Sequence, residues 1–171
     1  MKAFSNLLSD LILTSSRNRK LSLLEQYFSS TPDPDRGYAL AALTGSLNFK
    51  NIKASFFKDL IKEKQDEHLF DLSYDYVGDL AETISLLWDQ EKGGNMPRLS
   101  SLFENLKKAK TDELKNHIID ILNISTADQR WAFIKLFTGG LRIGVSSRLV
   151  KQALANLSLI HISEPTRPSS I

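Results

Sequence analysis

Apolar residues recur at spacings of three and four along most of the chain, and this period limits what it can fold into. In the first segment Phe4, Leu7, Leu8 and Leu11 fall on one face of a helix, and similar patterns follow. No run shows the period-two alternation of a half-buried strand, and only residues 141–143 look β-like. The pattern predicts an all-α fold, an orthogonal multi-helix bundle of about ten short helices. No fixed repeat length is visible, which argues against a helical solenoid.

Capping and turn residues set the expected helix boundaries. Ser15 or Ser16 can cap the second helix, which runs to about residue 29, and Thr126 with Gln129 forms a capping box. Glycines and a proline within residues 93–97 mark a loop. The other predicted helices cover residues 3–13, 36–43, 51–63, 67–74, 77–88, 99–108, 112–122, 127–137 and 146–155.

Composition excludes several classes of protein. The 171 residues are 42% hydrophobic and 25% charged, which suits one soluble domain, and they include no cysteine. A disulfide scaffold, a thiolate metal site and a cysteine nucleophile are therefore excluded. The mean hydropathy of −0.21 and the lack of an apolar run of about 18 residues exclude a membrane span. Asp10 interrupts the only apolar stretch near the N-terminus, which argues against a signal peptide.

Residues 157–171, LSLIHISEPTRPSSI, differ in character from the rest of the chain. The string resembles the in-frame translation of a transposon-type sequencing adapter. We therefore interpret it as an adapter-derived scar, and residues 1–156 as a native domain cut from a longer protein. A genuine disordered tail is the alternative, because proline and serine enrichment also allows one.

The net charge of +2 hides an uneven distribution. Residues 65–91 hold eight acidic side chains and no lysine or arginine, whereas residues 131–156 hold four basic and no acidic ones. A second basic cluster, Arg17, Arg19 and Lys20, begins the second helix. An acidic middle between two basic ends favours a polyanionic partner, although solvated faces would have the same composition.

The segment TGGLRIGVSSRLVKQAL, residues 138–154, interrupts the helical pattern and then restores it. Its adjacent glycines allow close backbone approach or a positive φ, and its paired serines begin a helix. A helix N-terminus has free amides and a partial positive charge, so with two flanking arginines it can bind phosphate. A helix C-cap, a loop and an N-cap that bind nothing are the alternative. SSRNRK (residues 15–20) and DYVGD (residues 75–79) are predicted to be similar helix starts.

Four segments, in this order, carry a resemblance to a known family: LTSSRNRKLSLLEQYF (13–28), TPDPDRGYALAALTG (31–45), LSYDYVGDLAETISLLW (72–88) and KLFTGGLRIGVSSRLVKQAL (135–154). Over about residues 1–156 the chain resembles the N-terminal DNA-binding domain of ATP-dependent DNA ligases, most closely the bacterial kind. The resemblance implies a helical domain of a cytoplasmic protein that lies across the minor groove and helps to encircle a nick. It also implies roles in DNA repair, replication and recombination.

The resemblance carries specific residues and partners with it. The implied partners are double-stranded DNA at nicks and the catalytic domains of the same parent chain. ATP and magnesium belong to the parent enzyme, and we expect no cofactor and no ligase activity here, because no lysine is followed by x-Asp-Gly. By motif match, the implied DNA contacts are Ser15, Ser16, Arg17, Lys20, Gly78, Thr138, Gly139, Gly140, Arg142, Gly144, Ser146, Ser147 and Arg148.

Two other functions remain open from the residues alone. A helical protein-interaction domain could bind a partner through the acidic middle of the chain. A small hydrolase could use Asp71, Asp75, Asp79 and Glu82 as metal ligands, since their spacing suits one helix face. We favour a solvated acidic face over a metal site, because Gly78 is expected to break the helix between them and no histidine joins them.

Overall fold

The computed structural model describes residues 1–89, 94–139 and 141–163. These residues form helices and connecting loops with no strand, which confirms the predicted all-α fold. No described helix has both the length and the apolar character needed to cross a membrane. In chain order the helices are α1 (Lys2–Leu13), α2 (Arg17–Ser30), α3 (Asp35–Leu43), α4 (Ala54–Lys64), α5 (Glu67–Val77), α6 (Leu80–Leu87), α7 (Leu99–Lys108), α8 (Thr111–Ile124), α9 (Ala127–Thr138) and α10 (Ser147–Ser163).

Two helix boundaries differ from the prediction in an informative way. The helix predicted to start at Val77 begins at Leu80 instead, because Gly78 has a φ of 74° and closes α5. At the other end of the chain, α10 does not stop near residue 155 but continues to Ser163. Leu157 continues the apolar face of α10 and is buried in the core, so the chain is packed beyond the predicted boundary. Residues 164–171 of the proposed scar lie outside the described residues.

An aromatic cluster forms the centre of the core. The ring centroids of Phe49 and Phe137 lie 4.8 Å apart, those of Phe133 and Phe137 5.0 Å, and those of Phe49 and Phe103 5.2 Å. Edge and offset contacts of this kind add to the free energy gained from burying the rings. Phe137 is the residue before Thr138, the last residue of α9, so the core fixes where α9 ends. The segment that follows, residues 139–145, is called the glycine-rich loop below.

A buried arginine joins three helices. The Nε of Arg130 donates hydrogen bonds to the carbonyls of Leu122 and Ser125, at 3.0 and 3.1 Å. Its Nη1 donates to the carbonyls of Ser85 and Trp88, at 2.9 and 3.2 Å. These bonds compensate for the burial of the guanidinium and hold the ends of α6 and α8 against α9.

Two side-chain hydrogen bonds, one of them from the first residue of α2, join α2 to α10. Arg17 Nη2 donates to Gln152 Oε1 at 2.9 Å, and Asn156 Nδ2 donates to Glu25 Oε1 at 2.6 Å. The fold therefore brings together two of the helix starts that the sequence singled out.

Candidate nucleic-acid interface

The start of α2 is capped by a serine and surrounded by solvent-exposed polar groups. Ser16 is the N-cap, and its side-chain oxygen accepts a hydrogen bond from the Arg19 amide at 3.3 Å. This capping geometry is the one expected for serine. Ser15, Arg17 and Arg19 are exposed. The first turn therefore presents hydroxyl and guanidinium groups to solvent, with Arg17 oriented by its bond to α10.

Lys20 differs from its basic neighbours because it is buried and 9% exposed. Its Nζ donates to the carbonyls of Ile143 and Gly144, at 3.2 and 2.9 Å. Burying an ammonium is costly unless its N–H groups find acceptors, and here two consecutive loop carbonyls supply them. Lys20 therefore holds the glycine-rich loop against α2, whereas the sequence suggested a direct contact to DNA.

Gly144 is required by this arrangement for two reasons. Its φ of 64° lies in the left-handed region, which side chains adopt at a cost. A Cβ built on Gly144 would lie 2.5 Å from Lys20 Nζ. Gly139, at the other end of the loop, also has a positive φ and is exposed. The predicted contact Gly140 lies outside the described residues.

The start of α10 presents exposed basic groups beside this loop. Ser146 accepts a hydrogen bond from the Leu149 amide at 3.2 Å and so caps the helix. Ser147, Arg148 and Arg142 are exposed. Within the described part of the chain, the side chains of Arg142 and Arg148 have no hydrogen-bond or ion-pair partner. These two cations and the free amides of α10 are therefore available to an anion.

A cleft of about 290 Å³ lies next to the loop and adds residues that the sequence reasoning missed. Gly139 and Ser147 line one part of it, and Thr44, Gly45 and Lys135 line another. The Thr-Gly pair at the end of α3 repeats the pair at the end of α9, and both glycines have positive φ. That repeated pair is the sequence signal that could have identified this part of the cleft.

Thr138, also predicted as a contact, ends α9. Its Oγ1 donates to the carbonyl of Ile134 at 3.1 Å. The hydroxyl proton is therefore used within the helix, and only the oxygen lone pairs remain for a donor.

The start of α6 is built differently from the other two helix starts. Gly78 closes α5, and Asp79 is the N-cap whose carboxylate accepts from the Glu82 amide at 2.9 Å. Asp79 also forms an ion pair with Lys135 of α9. Burial raises the pKa of Asp79, but hydrogen bonds from Lys135 and the Glu82 amide outweigh it, so the net pKa is lowered. The carboxylate at this helix start is thus neutralised by a lysine of the same chain. Among the described residues, no hydrogen bond or ion pair links Gly78 to the other predicted contacts.

The acidic side chains that the structure describes do not assemble into a metal site. Within the described ranges, no three histidine, aspartate or glutamate side chains come together in a way that could hold a metal ion. Asp71 shares Lys62 with Glu67, whereas Asp79 is paired with Lys135. The observed ion-pair partners of Asp71 and Asp79 are therefore lysines of the same fold.

Comparison with known proteins gives one informative match. A family model described as DNA ligase N terminus matches residues 1–155. No protein with a curated description matches the chain. The matched region includes every residue of the site described above.

Proposed function

Because the chain belongs to the N-terminal domain family of ATP-dependent DNA ligases, we propose that it binds nicked duplex DNA without sequence preference. The observation that carries the proposal is the Lys20-held loop, which places exposed Arg142 and Arg148 beside the free amides of α10. The first turn of α2 adds the exposed hydroxyl of Ser15 and the guanidinium of Arg17. All these groups are hydrogen-bond donors or cations, which matches the chemistry of a sugar-phosphate backbone.

The same groups explain why binding is independent of sequence. Backbone amides and serine hydroxyls fix the position of phosphates but do not distinguish bases. The large aromatic side chains Trp88, Phe133 and Phe137 are buried in the core, so they are not available to stack on bases. Affinity then comes mainly from phosphate neutralisation and falls steeply with salt.

The direct test is fluorescence anisotropy with a labelled nicked duplex at several salt concentrations, using Arg142→Glu and the matched control Lys108→Glu. Both residues are exposed, and Lys108 is the last residue of α7, which is not one of the elements of the proposed site. We expect Arg142→Glu to weaken binding by about tenfold or more and Lys108→Glu by less than about twofold. No affinity at low salt, or equal effects of the two variants, would contradict the proposal.

The nick itself is tested by comparing the same duplex with and without the strand break. A duplex of unrelated sequence in both forms serves as the control for sequence independence. We expect tighter binding to the nicked form and equal binding to the two sequences. Equal affinity for nicked and intact duplex would reduce the proposal to general duplex binding.

We propose that this polypeptide contributes DNA binding and leaves the chemistry to other domains of the same ligase chain. ATP and magnesium are implied for the whole enzyme, but the residues here do not fit them, since no lysine is followed by x-Asp-Gly. Incubation with labelled ATP and magnesium should leave the protein unlabelled, and a covalent adenylate would contradict this. Repair, replication and recombination are the processes in which nick binding would serve.

A further inference from the structure

An apolar surface outside the DNA-binding site runs along both sides of α6. On one side, Ile12, Leu13, Leu86 and Trp131 line a cleft of about 500 Å³ formed by the end of α1, α6 and the start of α9. Leu13 is 85% exposed and Leu86 is 65% exposed, so this cleft presents large apolar side chains directly to solvent.

A second cleft, of about 330 Å³, lies between α5 and α6. Leu72, Tyr76 and Leu86 line it, and Tyr76 is 92% exposed. Leu86 belongs to both clefts, so together they form one continuous surface, which we call the Leu86 groove. A contiguous patch of several large, exposed apolar side chains is uncommon on a surface that contacts only water, and such patches mark interaction sites.

The rim of the Leu86 groove is negatively charged. Glu82 and Asp128 line the first cleft. Both are exposed, and the described residues provide no lysine or arginine partner for them. Lys135 lies 6.0 Å from the Trp131 ring centroid, and its charge is neutralised by Asp79.

We propose that the Leu86 groove docks a basic amphipathic helix of a partner protein. Apolar side chains at spacings of three and four would enter the two clefts, and flanking lysines or arginines would meet Glu82 and Asp128. The negative charge of the rim favours a basic helix over other occupants. The rim repels phosphates, and in a two-fold symmetric dimer the rims of the two copies would face and repel each other. The proposal stands on residues that the DNA-binding proposal does not use.

The test uses a synthetic amphipathic helix of leucine and lysine as the probe, titrated into the full chain labelled with nitrogen-15. We expect amide shifts confined to α5, α6, the end of α1 and the start of α9. Leu86→Glu should weaken the affinity measured by calorimetry by about tenfold or more, because it buries a charge in the groove. Leu159→Glu is the matched control, since Leu159 on α10 is exposed to a similar extent, 63%.

Charge is tested separately from apolar contact. The pair Glu82→Gln with Asp128→Asn should weaken lysine-probe binding several-fold, whereas Glu104→Gln with Asp112→Asn, two exposed acids on α7 and α8, should not. A probe with glutamate in place of lysine should not bind. Circular dichroism of each variant establishes that it is folded.

Several outcomes would overturn the proposal. Equal binding of the lysine and glutamate probes, or no effect of Leu86→Glu, would remove the groove as a site for a basic helix. Dimerisation in sedimentation equilibrium that Leu86→Glu abolishes would assign the surface to a second copy of this chain. A loss of DNA affinity in Leu86→Glu would assign it to nucleic acid.

Discussion

Lys20 has the charge expected of a DNA contact, and in the structure its ammonium group is bonded within the fold. Sequence reasoning grouped it with Arg17 and Arg19, because all three are basic and lie within one helical turn. In the structure the two arginines are exposed and Lys20 is not, since its Nζ bonds to two loop carbonyls. In the proposed DNA-binding site we therefore expect Lys20 to act by positioning the loop.

Replacing Lys20 separates positioning from direct contact. Lys20→Met keeps much of the apolar stem but leaves two carbonyls without their donor, so we expect the protein to lose about 1–3 kcal/mol of stability. DNA affinity should fall as well, with the slope of affinity against salt nearly unchanged. Arg142→Gln should show the reverse, with normal stability and a slope reduced by about one phosphate contact. Urea unfolding and salt-dependent anisotropy measure the two effects, and a lowered slope in Lys20→Met would identify it as a direct contact.

Gly144 allows a test with an internal control. Gly144→Ala and Gly45→Ala share a positive φ of similar size, 64° and 74°, and therefore a similar backbone cost of about 1 kcal/mol or more. Only at Gly144 would the new methyl group meet Lys20 Nζ, whereas at Gly45 it meets nothing within 4 Å. We expect Gly144→Ala to lower the thermal unfolding midpoint more than Gly45→Ala. The extra loss of stability should disappear when Gly144→Ala is made in the Lys20→Met variant. If the losses of the two single variants simply add in the double variant, the two residues are not coupled.

The sequence could predict only some of the residues at this site. Residue type and spacing correctly indicated a glycine-rich loop flanked by bases. They could not distinguish Lys20 from Arg17, because the difference depends on which helix packs against the loop. Thr44 and Gly45 were missed for the same reason, since they reach the cleft from a distant part of the chain.

At the level of elements, local signals set most helix ends and tertiary contacts set the rest. Thr126 and Gln129 form the predicted capping box at α9, and Ser16 caps α2. Gly78 was assigned to the start of α6, but its left-handed φ makes it the end of α5. A glycine between two helical patterns fits both roles, and only the backbone geometry decides between them.

The ion pair of Asp79 at the start of α6 makes the stability of the fold depend on pH. Its pKa is held below the usual 3.8, so its ion pair contributes stability above that pH, and the contribution is lost as pH falls through the folded pKa. Asp79→Asn keeps a capping side chain but removes the charge. We expect a lower unfolding midpoint at pH 7, with the difference from wild type closing below about pH 4. Asp79→Ala should cost about 1 kcal/mol more, because the cap is also lost. A difference that stays constant from pH 7 down through the acid range would show that the charge is not its source.

At the scale of the whole molecule, the near-neutral net charge includes two surfaces of opposite sign. One is basic: Arg17 and Arg19 on α2, Arg142 on the loop between α9 and α10, and Arg148 and Lys151 on α10 are exposed. The other is acidic: Asp75 on α5, Glu82 on α6 and Asp128 at the start of α9 are exposed, and the described residues provide no basic partner for them. The runs of like charge in the sequence predicted this separation, because the acidic run contains α5 and α6 and the basic run contains parts of α9 and α10. Which apolar side chains stay exposed beside the acidic residues depends on how the helices pack, and the runs do not predict that.

This separation predicts an asymmetric response to charge removal. One variant neutralises Arg142, Arg148 and Lys151, and the other neutralises Asp75, Glu82 and Asp128, so the net charge shifts equally in opposite directions. If net charge controlled DNA binding, the two changes in affinity would be equal and opposite. Near about 0.1 M salt, however, exposed charges further apart than roughly 10 Å are largely screened. We therefore expect the basic variant to bind nicked DNA far more weakly and with a smaller salt slope, and the acidic variant to gain less than about threefold. Symmetric changes in anisotropy titrations would show that DNA senses the whole molecule, and the acidic surface would then act as a brake on DNA binding.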